Sequence, residues 1–142
     1  MATKDEIIDF IKTQFPQAKC TIDEVGNRSA TVRHKIGHAE LRPGGTVAGP
    51  VMMFVADVAL YIAILGEIGI VPLAVTTSLN FNFLRKPSAD KDIIGVCKLI
   101  KLECIQLVHS FYLLFEMKIS CCLILKSFSK CIQLLSVLQL YL

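Results

Sequence analysis

VAGPVMMFVADVALYIAIL, residues 47–65, decides how this chain is read. The run is nearly unbroken apolar sequence, and Asp57 is its one charge. As a helix rising about 1.5 Å per residue it is long enough to cross a bilayer or to fill the centre of a globular domain. Three features favour the globular centre. Asp57 stands mid-run, where a charge costs about 2.5–3.5 kcal/mol on insertion into a bilayer. The Gly49-Pro50 pair breaks up the first turn. The flanks lack the aromatic belts that anchor membrane helices. A helix apolar on all sides is also one that a protein can enclose. Gly66, directly after the run, suits its C-terminus.

Outward from this helix, the other segments read as smaller units. Thr3 and Glu6 form a capping box ahead of Ile7, Ile8, Ile11 and Phe15, one apolar face of a short helix that Pro16 ends. Residues 20–37 alternate on either side of Gly26-Asn27, a hairpin pattern. HAELRPGGTVAGP, residues 38–50, is rich in glycine and proline and reads as a loop. Beyond Pro72, Val75, Thr77, Leu79, Phe81 and Phe83 fall on one face of a strand, with Thr76, Ser78, Asn80 and Asn82 on the other. Residues 91–102 read as the next strand. Helix, hairpin, long buried helix and further strands make an α+β fold, an antiparallel sheet wrapped around one helix.

Composition narrows the function. A chain of 142 residues supports a single domain, 1–142, with one core. Its 54% hydrophobic content against 19% charged is high for a soluble domain, so partner subunits are expected to cover part of its surface. The formal charge of +3 is spread along the chain and does not call for nucleic acid. Asp5, Glu6 and Asp9 occupy the place of a signal peptide's apolar core, so a cytoplasmic location and reduced cysteines are expected. The six cysteines form no C-x-x-C pair and share no ligand spacing with His34, His38 or His109, so no metal site is expected. From Glu103 onward there is neither glycine nor proline, and four of the six cysteines fall there. Residues 108–120 read as a further strand; the last twenty or so are compatible with strand, helix or disorder.

Two residues invite chemistry. Proline is favoured at the first helical position, which makes Pro50 that position and Gly49 the N-cap. Backbone N–H groups there lack partners and carry the positive end of the helix dipole, so they suit a developing oxyanion; a tight turn is the plainer reading. Asp57, a carboxylate in an apolar helix, must find a partner or shift its pKa, so it is either functional or tied into a structural hydrogen bond. Gly49 and Asp57 lie eight residues apart, about 12 Å along one helix axis. Groups that serve one carbonyl must both come within about 3–3.5 Å of reacting atoms. One helix cannot do this. If both act on one carbonyl, they come from two subunits with antiparallel helices, at a two-fold interface.

The stretch HAELRPGGTVAGPVMMFVADVALYIAILGEIG with PLAVTTSLNFNFLRKP resembles the PaaI-like hotdog thioesterases. In that family a His-Gly-Gly element enters the central helix, and a catalytic Asp or Glu follows the first glycine by eight residues. A Phe-Leu-Arg-Pro-like strand end comes next, here Phe83-Leu84-Arg85-Lys86-Pro87. The resemblance covers about residues 1–102. It implies a hotdog fold, a homodimer or dimer of dimers (a homotetramer), hydrolysis of acyl-CoA thioesters, and no cofactor, nucleic acid or membrane. Carried over, the Gly49 amide would polarise the thioester carbonyl, and Asp57 would act as general base or nucleophile. Thr76 would position the water. Arg42, Pro50, Asn80, Arg85 and Lys86 would line the substrate site, with Arg85 and Lys86 either meeting CoA phosphates or forming a solvated strand end. The family's histidine is Ala48 here, its second glycine is Pro50, and Arg42 stands where some relatives carry a carboxamide. A hotdog hydratase would place a histidine at position 62, which is Ile62. A non-catalytic acyl-CoA-binding hotdog is the other reading. The glycine-free tail departs from the family and suggests a shifted reading frame or a replaced C-terminus, in which a lost final hairpin would expose a sheet edge.

Overall fold

The computed structural model describes residues 1–72, 74–83, 87–103, 117–127 and 130–141, with side chains described up to residue 99 except at 75, 77, 78, 80 and 82. The chain begins with α1 (Lys4–Gln14), β1 (Cys20–Gly26) and β2 (Ser29–His34). A 3₁₀ turn (His38–Glu40) and the short pair β3 (Leu41–Arg42) and β4 (Thr46–Val47) lead into α2 (Gly49–Ile68). β5 (Ala74–Phe83), β6 (Ile93–Glu103), β7 (Met117–Ser127) and β8 (Lys130–Tyr141) complete the order. Six strands form one antiparallel sheet, β1-β2-β6-β8-β7-β5. The expected α+β architecture is present.

α1 starts where the capping box predicts. The Thr3 N–H donates to Glu6 Oε2 at 2.8 Å, and the Glu6 N–H donates back to Thr3 Oγ1 at 3.4 Å. Ile7 and Ile11 are buried, and the helix stops at Gln14, two residues ahead of Pro16. The first hairpin turns on Asn27-Arg28, both at positive φ, one residue later than Gly26-Asn27. Asparagine tolerates that geometry, and Gly26 closes β1 at φ +144°. The glycine-rich loop holds more structure than its composition suggests. Gly44 and Gly45, both at positive φ, let β3 turn back onto β4.

α2 is long and apolar enough to cross a membrane by length and composition. Here it lies on the sheet, in contact with β1, β2, β5, β6 and β8. Val55, Ala59, Ile62 and Leu65 are almost fully buried, and so are Ala56, Leu60 and Ile64 around the circumference. Each large side chain so buried contributes roughly 1.5–3 kcal/mol relative to exposure. The approach is close at Gly95 of β6, where an added Cβ would stand 3.1 Å from Val55 Cγ1 and 3.2 Å from Val32 Cγ2. The helix runs past Gly66 and ends at Gly69, which has φ 93° and donates its N–H to Leu65 O at 3.0 Å. Gly66 is instead a packing position, since a Cβ there would meet Val25 Cγ1 at 2.5 Å.

The tail supplies interior strands. β8 lies between β6 and β7, and β7 pairs with β5, so the described C-terminal residues join the two halves of the sheet. A final hairpin is therefore present rather than lost, and its residues are strand rather than helix. Of the strand expected at 108–120, residues 117–120 belong to β7; 108–116 lie outside the described residues.

Candidate functional site

The end of α2 that faces the loop begins one residue earlier than proline preference alone suggests. Ala48 is the N-cap, with extended φ and ψ (−68°, 139°), and its carbonyl accepts from the Val51 and Met52 N–H groups at 3.1 and 3.4 Å. Gly49 is then the first helical residue and Pro50 the second, where a missing N–H is equally harmless. Among the described residues the Gly49 N–H has no acceptor. The ring of Phe83, from the far end of β5, lies over this glycine, 3.5 Å from where a Cβ would be. Phe83 stacks on Phe81 with ring centroids 6.1 Å apart and planes 11° from parallel.

Two turns along, Asp57 is half-buried and accepts a hydrogen bond from Thr76 Oγ1 at 2.9 Å. Thr76 belongs to the opposite strand face from Phe81 by simple alternation, yet both look toward the helix. The cause is a β-bulge between Thr76 and Ser78, where β5 gains a residue against β7. Ahead of the bulge Ala74 and Thr76 face α2; beyond it Leu79 and Phe81 do. A bulge shifts the period-two pattern by one, and here it aims one hydroxyl at one carboxylate. The expected placement of Thr76 with Ser78, Asn80 and Asn82 is corrected accordingly.

Asp57 opens onto two adjoining clefts of about 290 and 330 Å³. Phe15, Tyr61 and Ala74 line both. Tyr61 sits one helical turn beyond Asp57, so it shares that face of α2. Its hydroxyl donates to the Pro72 carbonyl at 3.4 Å, and burial raises its pKa. Phe10 of α1 packs against Tyr61 at 6.4 Å, and Phe15 against Phe54 at 6.1 Å. The walls are thus mainly aromatic and apolar, with the Asp57 carboxylate, the Thr76 and Tyr61 hydroxyls and the Gln14 amide as polar side-chain groups, an arrangement suited to an apolar group bound beside a polar reaction centre. Phe10 and Tyr61 are absent from the sequence-derived site. The spacing of Tyr61 from Asp57 was a usable signal; Phe10, off the apolar face of α1, had none.

The remaining expected residues fall apart from this cleft or beyond view. Arg42 is exposed on β3, and its carbonyl accepts from the Gly45 N–H in the hairpin turn. Asn80 pairs with Ser120 along the backbone of β5, and its side chain lies outside the described set. Arg85 and Lys86 lie outside the described residues. Ile62, at the position a hydratase would give to histidine, is 1% exposed in the core.

No family model matches the sequence, and no curated protein matches it. Solved structures do. A thioesterase candidate from Silicibacter sp. TM1040 is 27% identical with a TM-score of 0.66, covering 92% of this chain and 90% of its own. Zebrafish thioesterase superfamily member 2 is 16% identical with a TM-score of 0.63 over 99% of both chains. PaaI from the phenylacetic acid degradation operon of E. coli is 13% identical with a TM-score of 0.59, over 94% of this chain and 92% of its own. At those identities the latter two speak for fold alone. An antiparallel sheet around a central helix is the architecture common to all three.

Proposed function

We propose that this chain, a PaaI-like hotdog protein of the thioesterase superfamily, hydrolyses acyl-CoA thioesters to free acid and CoA, with Asp57 as its catalytic carboxylate. The observation that carries the reading is the bulge-directed hydrogen bond from Thr76 to Asp57 at the mouth of an aromatic cleft. A half-buried carboxylate in the middle of a helix whose one other charge, Glu67, stands in the last turn costs hydration. Asp57 takes a proton from water as general base, or attacks the carbonyl itself, and Thr76 holds the carboxylate oriented. The carbonyl oxygen becomes an oxyanion as the tetrahedral intermediate forms, and the Gly49 N–H of a second subunit donates to it. Collapse breaks the C–S bond, and the CoA thiolate leaves to be protonated. Where water attacked, the free acid forms directly; where Asp57 attacked, water then hydrolyses the acyl–Asp57 anhydride to free acid and restores the carboxylate.

The assembly follows from the same geometry. Gly49 and Asp57 of one helix are about 12 Å apart, so the site is built between two antiparallel copies of α2, in a homodimer or a dimer of dimers. Arg42, Pro50, Asn80, Arg85 and Lys86 are assigned to substrate binding at that site, Arg85 and Lys86 to the CoA phosphates, and the protein to the cytoplasm. Ala48 and Pro50, in place of the family's histidine and second glycine, favour one rival: a hotdog that binds acyl-CoA without turning it over.

Release of free thiol from a panel of aryl and fatty acyl-CoA substrates separates the two. Turnover is expected in the native protein and should fall by about 10²-fold or more in Asp57→Ala, with the oligomer intact by light scattering. Saturable acyl-CoA binding with no thiol release would establish the non-catalytic protein instead.

A further inference from the structure

We propose that Glu40, braced against the buried His34, is the positioning residue that fixes the Gly49 amide; the proposal rests on the reading of that amide as the oxyanion donor. Glu40 ties three parts of the molecule together. Its carbonyl accepts from the Ala48 N–H at 2.8 Å, which holds the N-cap of α2 immediately before Gly49. One carboxylate oxygen, Oε2, accepts from the Gly37 N–H at 2.6 Å and closes the 3₁₀ turn. The other, Oε1, stands 3.6 Å from His34 Nε2. His34 is the terminal residue of β2, 6% exposed, so through Glu40 the loop ahead of α2 is referenced to the sheet itself.

The histidine is set to face that carboxylate. Its Nδ1 lies 3.7 Å from Cys20 Sγ on β1, and burial holds the Cys20 thiol protonated, with its pKa pushed up to about 11. A protonated thiol donates to Nδ1, which places the imidazole proton on Nε2, toward Glu40. That nitrogen is buried and has no hydrogen-bond partner among the described residues, so the carboxylate is the acceptor available to it. An uncompensated buried donor at this distance draws the carboxylate inward and holds the loop against β2. Side chains remote from a reacting carbonyl act through such placement, since a shift of about 1 Å in a catalytic donor can cost about 100-fold in rate.

The test compares Glu40→Ala and Glu40→Gln in the protein labelled with [¹⁵N]glycine and [¹⁵N]alanine, the Ala48 signal being identified by its loss in Ala48→Gly. The eight glycines give a countable set of amide signals, and the Gly49 signal is identified by its loss in Gly49→Ala. In Glu40→Ala the Gly49 signal should move, and the Ala48 amide proton, which donates to the Glu40 carbonyl, should exchange at least about ten-fold faster than in the native protein. kcat for the best acyl-CoA substrate should fall about 10- to 100-fold while KM stays within about two-fold. Glu40→Gln keeps an oxygen for the Gly37 N–H and offers an amide to His34, whose tautomer can reverse; it should restore both readouts. Should Glu40→Ala fail to fold, Glu40→Asp, one methylene shorter, carries the same test. An unmoved Gly49 signal, or a lower melting temperature with kcat and exchange unchanged, would overturn the proposal. Absence of turnover in the native protein would sink the thioesterase reading alone, because the exchange measurement decides the role of Glu40 without it.

Discussion

Thr76 holds Asp57 with one hydroxyl, and that contact is open to direct measurement. A hydrogen bond to a charged acceptor contributes about 1.5–3 kcal/mol. Thr76→Ala should therefore lower kcat about 10- to 100-fold, whereas Thr76→Ser, which keeps the hydroxyl, should stay close to native; steady-state thiol release on both variants decides it. A reduction equal in the two would assign the effect to the lost methyl group and not to the bond. Cys20 offers a second residue-level test. Burial raises its pKa from 9.0 to about 11. Below pH 9 the thiol is neutral in folded and unfolded chains alike, so it adds no pH dependence. Between pH 9 and 11 the unfolded chain ionises first, the folded state binds more protons, and stability falls with rising pH. Urea midpoints at pH 8 and pH 10.5 should therefore separate more in the native protein than in Cys20→Ala. Asp57 and Gly49 were legible because a charge and a glycine-proline pair stand out in apolar sequence. Thr76 was legible through the family resemblance alone: alternation turns it away from the helix, and only the register against β7 reveals the extra residue that aims it at Asp57.

At the scale of elements, the two glycines near the end of α2 show what local rules can and cannot resolve. Gly66 and Gly69 both satisfy the preference for glycine at a helix end. Which one ends the helix depends on β1, because Val25 occupies the space a side chain at 66 would need. Gly66→Ala tests this packing role. Alanine gains up to about 1 kcal/mol of helix propensity; forcing a methyl into contact with a β-branched side chain costs about 1–3 kcal/mol. The net expectation is a loss of about 1 kcal/mol, read as a lower urea midpoint at unchanged slope. A gain would mean that the end of β1 yields easily and that Gly66 is there for the helix alone. The capping box of α1, the first hairpin, β5 and β6 were readable because each is specified within its own few residues. β3 and β4 were missed because strands of two residues carry no period, and β7 and β8 were hard to place because glycine and proline, the usual marks of turns, are absent from the tail.

For the molecule as a whole, the question is whether one chain holds a complete site. The packing of α2 answers for the fold, since the sheet receives this helix within one chain. It does not answer for the chemistry, because Asp57 and Gly49 sit about 12 Å apart on that helix. Subunit mixing tests the consequence. Gly49→Pro removes the amide donor at a position where proline is tolerated: Ala48 already has the extended conformation that precedes proline, and a Cβ at 49 meets Phe83 only at ordinary contact distance. Its kcat should fall by about 10²–10³-fold, and Asp57→Ala should be comparably impaired. Unfolded together and refolded, the two inactive variants form heterodimers in which one site has lost both groups and the other has lost neither. Random pairing makes half the dimers mixed, so about a quarter of native activity should return per site. The same variants mixed without subunit exchange should remain inactive. If refolding together yields mixed dimers by mass spectrometry but no activity, each site draws both groups from one subunit or Gly49 takes no part, and the shared-site arrangement is lost.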